Sequence, residues 1–282
     1  MLRKKSKRHF YIVTVIVVLL VIWTAWSNTT VGITHYTVAS DKLPASFDHY
    51  SIVVVSDLHN AEFGENNSQL IKLIEKEKPD IIVITGDLVD SNKTNIDIAQ
   101  KLVGTLTGIA PCYYVTGNHE AWLGEQYQEL ESILLDDGVA ILHDRAVQLI
   151  KNTESIQLAG LDDPDFTDRA PLQQSMIKTK INNMNLTDNY CVLLSHRPEA
   201  FEDYVSENID LVLSGHAHGG QFRLPIIGGI VAPNQGLFPK YDAGIYSENY
   251  TTMVVSRGIG NSIIPIRFNN RPEIISVELI CE

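Results

Sequence analysis

Two histidines one residue apart, His216 and His218, stand in the run Ser214-Gly-His-Ala-His-Gly-Gly-Gln221. Neutral imidazole is the commonest metal ligand in proteins. The flanking glycines let the backbone turn tightly and approach a small object closely. The run follows Leu211-Val212-Leu213, which reads as a buried strand. Alone, the stretch fits a ligand pair and two solvated loop histidines equally well. Four other stretches end an apolar run in the same way. Val53–Val55 leads into Ser56-Asp57-Leu58-His59, and Ile82–Ile84 into Thr85-Gly86-Asp87-Leu88-Val89-Asp90. Tyr114-Val115 leads into Thr116-Gly117-Asn118-His119-Glu120, and Val192–Leu194 into Ser195-His196-Arg197-Pro198. An isolated aspartate at such a place is ordinarily a helix cap or turn former. Five polar clusters in order at five strand exits are a different matter, because open α/β sheets gather ligands outside the carboxyl ends of their strands.

In combination these stretches resemble the calcineurin-like metallophosphoesterases. The family pattern D-x-H, G-D, G-N-H-[DE], H and G-H-x-H is present as Asp57-Leu58-His59, Gly86-Asp87, Gly117-Asn118-His119-Glu120, His196 and Gly215-His216-Ala217-His218. The likeness spans about residues 50–280. The start of the chain, the Gly-Leu-Asp-Asp-Pro stretch at 160–164 and the Gly-Gly-Gln after His218 are similar to the bacterial membrane-associated YkuE/YaeI-type branch. The resemblance implies a four-layered αββα sandwich of two mixed sheets between helices. It also implies two metal ions, one held by Asp57, His59, Asp87 and His218, the other by Asp87, Asn118, His196 and His216. Asp87 would bridge, since a carboxylate has two oxygens. Mixed oxygen and imidazole donors suit Mn, Fe or Zn better than Mg or Ca. No cysteine falls in any cluster, which argues against a structural zinc site.

The chemistry implied is hydrolysis of a phosphodiester, pyrophosphate or phosphomonoester by a hydroxide that bridges the metals. His119 is the expected general acid for the leaving oxygen. Asp90 is either the carboxylate that supports His119 or a cap for the following helix. Glu120 reads as structural. Arg197 either contacts the substrate phosphate or pairs with a nearby acid. The competing reading is a metal-binding sensor or interaction module with little turnover.

The elements needed to position these residues are legible as alternation. Strands are expected at 52–55, 81–84 and 112–115, with helices at 70–77, 96–106 and 127–135, the rhythm of βαβ units. Short strands at 140–142, 146–150 and 155–161 suggest antiparallel hairpins. A helix over 172–181, a strand at 191–194, a helix opened by Pro198 and two or three closing strands among 253–256, 263–266 and 274–279 complete the reading. The stretch Leu224–Val231 is apolar and glycine-rich; it fits a buried strand pair in the second sheet or an exposed lip beside the metals.

The amino terminus is distinct. Arg3, Lys4, Lys5, Lys7 and Arg8 precede an uncharged run from Phe10 to Trp26, long enough at ~25 Å to approach the width of a bilayer core. Trp23 and Trp26 suit an interfacial anchor, and the positive-inside bias puts the cations in the cytoplasm and the rest outside. Ala25-Trp26-Ser27 would alternatively serve as a signal-peptide cleavage site, giving a secreted domain. The expected organisation is a basic segment and anchor over 1–27, a polar linker with a lead-in strand over 28–48, and a phosphoesterase domain over 49–282. All 34 acidic residues follow Ser27, whereas five of the 22 basic ones precede it. So acidic a domain argues against a nucleic-acid partner, which would need a basic stripe. No obligate protein partner is evident. Cys112, Cys191 and Cys281 are too few and scattered for a disulfide framework.

Overall fold

The computed structural model describes residues 2–167, 173–261 and 263–282. The first helix, α1 (Leu2–Thr29), is followed after two residues by β1 (Gly32–Ser40). The lead-in strand thus takes up nine residues of the segment expected to be mostly linker. It pairs in parallel with β16 (Glu273–Cys281) along its whole length, from Gly32 opposite Glu273 to Ser40 opposite Cys281.

The body contains two six-stranded sheets. In the first the order is β1, β16, β2 (Tyr50–Val55), β3 (Ile81–Thr85), β4 (Cys112–Val115) and β5 (Ala140–Ile141). Only the β16–β2 pairing is antiparallel. In the second the order is β14 (Gly244–Glu248), β15 (Thr251–Val255), β9 (Leu211–Ser214), β8 (Cys191–Leu194), β7 (Glu154–Gly160) and β6 (Arg145–Lys151). Its two outer pairs are antiparallel and its inner ones parallel.

Alternation along each strand builds the layers. Val53 and Val55 of β2 face helices α2 (Ser68–Glu77), α3 (Ile96–Leu106) and α5 (Gln126–Asp136), which present Leu70 and Ile74, Leu102 and Leu106, Leu130 and Leu134. Ile52 and Val54 face the other way, onto Leu158, Val192, Leu211 and Val254 of the second sheet. That sheet's far side packs on α6 (Gln173–Asn183) and α7 (Phe201–Ser206) through Ile177, Ile181, Phe201 and Tyr204. The result is the αββα sandwich. Strands buried on both faces read as unbroken apolar runs, which is why their positions are legible in the sequence. The expected start of the sixth helix at Leu172 lies outside the described residues.

Two expectations change. Ile263–Ile266 is not a strand but a loop, with Ile263 82% and Ile266 46% exposed. Pro265 has no N–H for a ladder, and the buried Gln221 side chain donates to the carbonyls of Ile264 (2.8 Å) and Ile266 (2.7 Å), occupying groups a neighbouring strand would use. Residues 224–231 do not enter the second sheet either. β10 (Arg223–Leu224) and β11 (Gly228–Gly229) form a separate two-stranded hairpin whose tip, Ile226 and Ile227, is exposed.

Candidate metal centre

The five polar clusters leave β2, β3, β4, β8 and β9 at the same end of the sandwich and meet between the two sheets. Asp57, His59, Asp87 and His218 place one ligand atom each within 4.8 Å of one another, and so do Asp87, His196 and His216. Asp87 belongs to both groups. Its Oδ2 lies 3.4 Å from His59 Nε2 and 3.2 Å from His196 Nε2. Asn118 Oδ1 is 3.2 Å from His196 Nε2, which puts the amide beside the second group. All seven side chains are buried.

The loops that hold them are tightly specified. Asp57, His59, Asp87, His216 and His218 all have φ between 44° and 66°, the left-handed region that non-glycine residues ordinarily avoid. Such strain persists only where the surroundings over-determine it. Here the determinants are visible. The Asp57 carboxylate accepts the backbone N–H of His216 (3.0 Å) and the Ser56 hydroxyl (2.5 Å). Asp87 Oδ1 accepts the N–H of His119 at 2.9 Å. Glu120 accepts the N–H groups of Asp87, Leu88 and Gly117 at 2.7–2.8 Å, tying the β3 exit to the β4 exit. Gly117 lies so close to Asp87 that a Cβ there would fall 2.2 Å from Asp87 Oδ1.

Electrostatics favour a cation between these groups. Burial pushes His59 down to about 4 and His218 down to about 3, and it pushes His216 well below the usual histidine range. These rings are therefore neutral, with lone pairs available at neutral pH. His59 Nε2 and His218 Nε2 face each other at 3.2 Å, and His216 Nδ1 faces His196 Nε2 at 3.1 Å. Nitrogens converging this closely in a dry pocket need either a hydrogen shared between them or a metal ion that both can face. His196 Nδ1 sits 2.7 Å from the Thr85 carbonyl, which turns Nε2 inward toward Asp87. Burial opposes a charge on this ring, but the Asp87 carboxylate outweighs it and raises its pKa to about 10, so a metal here displaces a proton. Two carboxylates, an amide oxygen and four imidazoles make a donor set that fits two borderline divalent ions.

His119 is stacked edge-on against His59, ring centroids 4.5 Å apart. Its Nδ1 accepts the Ser91 N–H at 3.0 Å, which leaves Nε2 as the protonated nitrogen of the neutral ring. Asp90 stands 3.9 Å from that Nδ1 and caps its own loop by accepting the Asn92 N–H at 2.8 Å. Arg197 is buried, with its guanidinium engaged by both oxygens of Asp163 (2.6 and 2.7 Å) and 3.1 Å from Asp165. Its Nη1 is 3.3 Å from His216 Nε2. Burial opposes its charge, but Asp163 holds its pKa above the ordinary arginine value.

Three residues near the cluster had no site role assigned from sequence, although Asp163 falls in the Gly-Leu-Asp-Asp-Pro stretch. Ser91 orients His119, and Asp163 orients Arg197. Arg267 is wholly buried, with Nη2 3.3 Å from His218 Nδ1 and bonds to the carbonyls of Arg257 and Gly260. Burial pushes its pKa down to about 10. A cleft of ≈ 810 Å³ opens beside the cluster, lined by His59, Asp90, Trp122, Asn261, Ile263 and Pro265 among others.

The calcineurin-like phosphoesterase family model matches residues 50–220, the span that contains every one of these ligands. The chain is a calcineurin-like phosphoesterase. Its relatives include the metallophosphoesterase YkuE of Bacillus subtilis, 31% identical over 86% of this chain and 82% of that one. The phosphodiesterase YaeI of Escherichia coli is 29% identical over 82% of each. A zebrafish (Danio rerio) transmembrane protein with a metallophosphoesterase domain is 31% identical over 85% of this phosphoesterase, which spans 55% of the longer zebrafish chain. The phosphoesterase is therefore a metal-dependent phosphoric ester hydrolase with a buried Asp/His cluster for two divalent ions. Its first helix has a stretch, Lys7–Thr29, long and apolar enough to cross a membrane, with only 6% of its most apolar window buried.

Proposed function

We propose that Asp57, His59, Asp87 and His218 hold one divalent ion and that Asp87, Asn118, His196 and His216 hold the second. The observation that carries this reading is the position of Asp87 Oδ2, within 3.4 Å of a histidine from each group. The ions, Mn, Fe or Zn, would lower the pKa of a water nucleophile and polarise the phosphoryl oxygens. The protein's own contribution is to exclude bulk water, fix the ligands and deliver a proton. His119, with its proton on Nε2, donates to the leaving oxygen. Ser91 holds it in that tautomer, while Asp90 adds a nearby negative charge. Arg197, clamped by Asp163, keeps its Nη1 near His216 and contributes positive potential on that side of the site. The substrate is a phosphate ester of the cell envelope or carried on a lipid. α1 anchors the enzyme with its basic end in the cytoplasm and the catalytic domain outside.

The test is full-length protein purified in detergent, given bis-p-nitrophenyl phosphate and p-nitrophenyl phosphate in parallel. Hydrolysis should require Mn, stop on chelation and return on adding the metal back. Stoichiometric metal with no turnover of either ester would instead support the sensor or interaction module.

A further inference from the structure

The segment Arg267–Arg271 joins two things that are far apart in sequence. On one side it receives the end of α1. The Asn28 amide donates to the Arg267 carbonyl and accepts its N–H, both at 2.8 Å. Arg271 stacks over Trp26, 4.8 Å from the ring centroid, and its Nη2 donates to the Val31 carbonyl. Ser27 is buried and Val31 belongs to the core, so helix and domain meet as a packed joint rather than a loose tether. On the other side the same segment supports the ligand loop. Arg267 Nη2 reaches His218 Nδ1, and Asn270 Nδ2 donates to the His218 carbonyl at 2.7 Å.

The exposed apolar loop found where a strand was expected runs directly into this segment. Ile266 is next to Arg267, which is bonded to the last turn of α1, so this end of the loop adjoins the end of the candidate membrane span. At its far end Ile263 lines the mouth of the cleft beside His59 and Trp122, and Trp122 is itself 53% exposed. Gln221 pins two of the loop's carbonyls, so the isoleucines are displayed by a fixed backbone. Exposed apolar side chains grouped beside a cleft mark a surface that meets another apolar phase.

We propose that the Ile263–Ile266 loop is a lipid-contacting lip. It enters the interfacial layer of the bilayer that α1 crosses, holds the cleft mouth at headgroup level, and admits phosphate esters carried on a long apolar chain. The substrate class rests on the phosphoesterase reading above; the lip itself does not.

Two measurements on the full chain in phosphatidylcholine–phosphatidylglycerol nanodiscs separate these. In a Cys281→Ser background, where the other two cysteines are buried, an environment-sensitive fluorophore is attached to Ile263→Cys or, as a control, to Ile150→Cys. Ile150 is 75% exposed and pairs with Ser155 at the start of β7, the end remote from the metal cluster. Acyl-chain nitroxides should quench the probe at 263 and leave that at 150 unaffected; equal quenching at both would overturn the lip. The second measurement compares hexadecyl with methyl p-nitrophenyl phosphate, which share the scissile bond. Wild type should prefer the hexadecyl ester, and Ile263→Ser with Ile266→Ser should lower that preference about tenfold. Since α1 is present in both proteins, an unchanged preference would refute the lip. No metal-dependent hydrolysis of the methyl ester by wild type would refute the phosphoesterase reading and leave the quenching result standing.

Discussion

Asp87 and His119 are 32 residues apart in chain and joined by one hydrogen bond, from the His119 N–H to Asp87 Oδ1 at 2.9 Å. Their side chains nevertheless have separable tasks, and substitution should divide them. Asp87→Asn removes the negative charge shared by both groups, so bound Mn and turnover should fall together. His119→Gln should retain both ions by metal analysis while kcat drops about 10²–10⁴-fold, the usual worth of a positioned general acid. Full activity in His119→Gln would remove it from the mechanism. Gly117 gives a steric test of the same contact. Because a Cβ there would press on Asp87 Oδ1, Gly117→Ala should weaken Mn binding about 10–100-fold, the scale seen when a ligand's support is disturbed. At this scale the sequence was informative where a ligand follows an apolar strand within a few residues, as Asp57 and His218 do. It gave no role to Ser91, Arg267 or Asp163 (the last visible only as part of the Gly-Leu-Asp-Asp-Pro stretch), because their roles depend on which distant loop each one meets.

Elements beyond the ligand loops are also fastened by titratable groups. His143, just after β5, bridges Glu131 of α5 (2.6 Å) and Asp162 after β7 (2.9 Å), donating from both ring nitrogens. The Asp162 hydrogen bond is the largest cause of its raised pKa. A histidine whose folded pKa is raised stabilises the fold fully below its unfolded pKa of about 6.5 and loses that contribution as pH rises through the folded value. His143→Gln should therefore cost more stability at pH 6 than at pH 9 in urea unfolding. The ring is half-exposed, so the difference should be under about 1 kcal/mol. An equal cost at both pH values would place its role in packing alone. The strands that run apolar on both faces, such as β2, β3 and β8, were read nearly to the residue. The misreadings came where side chains replace a ladder. Ile263–Ile266 has a strand's composition, yet Gln221 and Pro265 make it a loop. β1 begins two residues after a long apolar helix, and its Thr34, His35 and Tyr36 gave little of a strand's alternation.

Across the whole molecule, the two sheets face each other so that their carboxyl ends share one rim, and the phosphoesterase site occupies it. The first helix, the candidate membrane span, joins that rim through Asn28 and Arg267, so the seating of this helix and the geometry of the site are built from the same few residues. The most direct test of the account is anomalous diffraction from crystals loaded with Mn. Two peaks are predicted with Asp87 between them, one contacting Asp57, His59 and His218, the other contacting Asn118, His196 and His216. A single peak, or two that do not share Asp87, would contradict it.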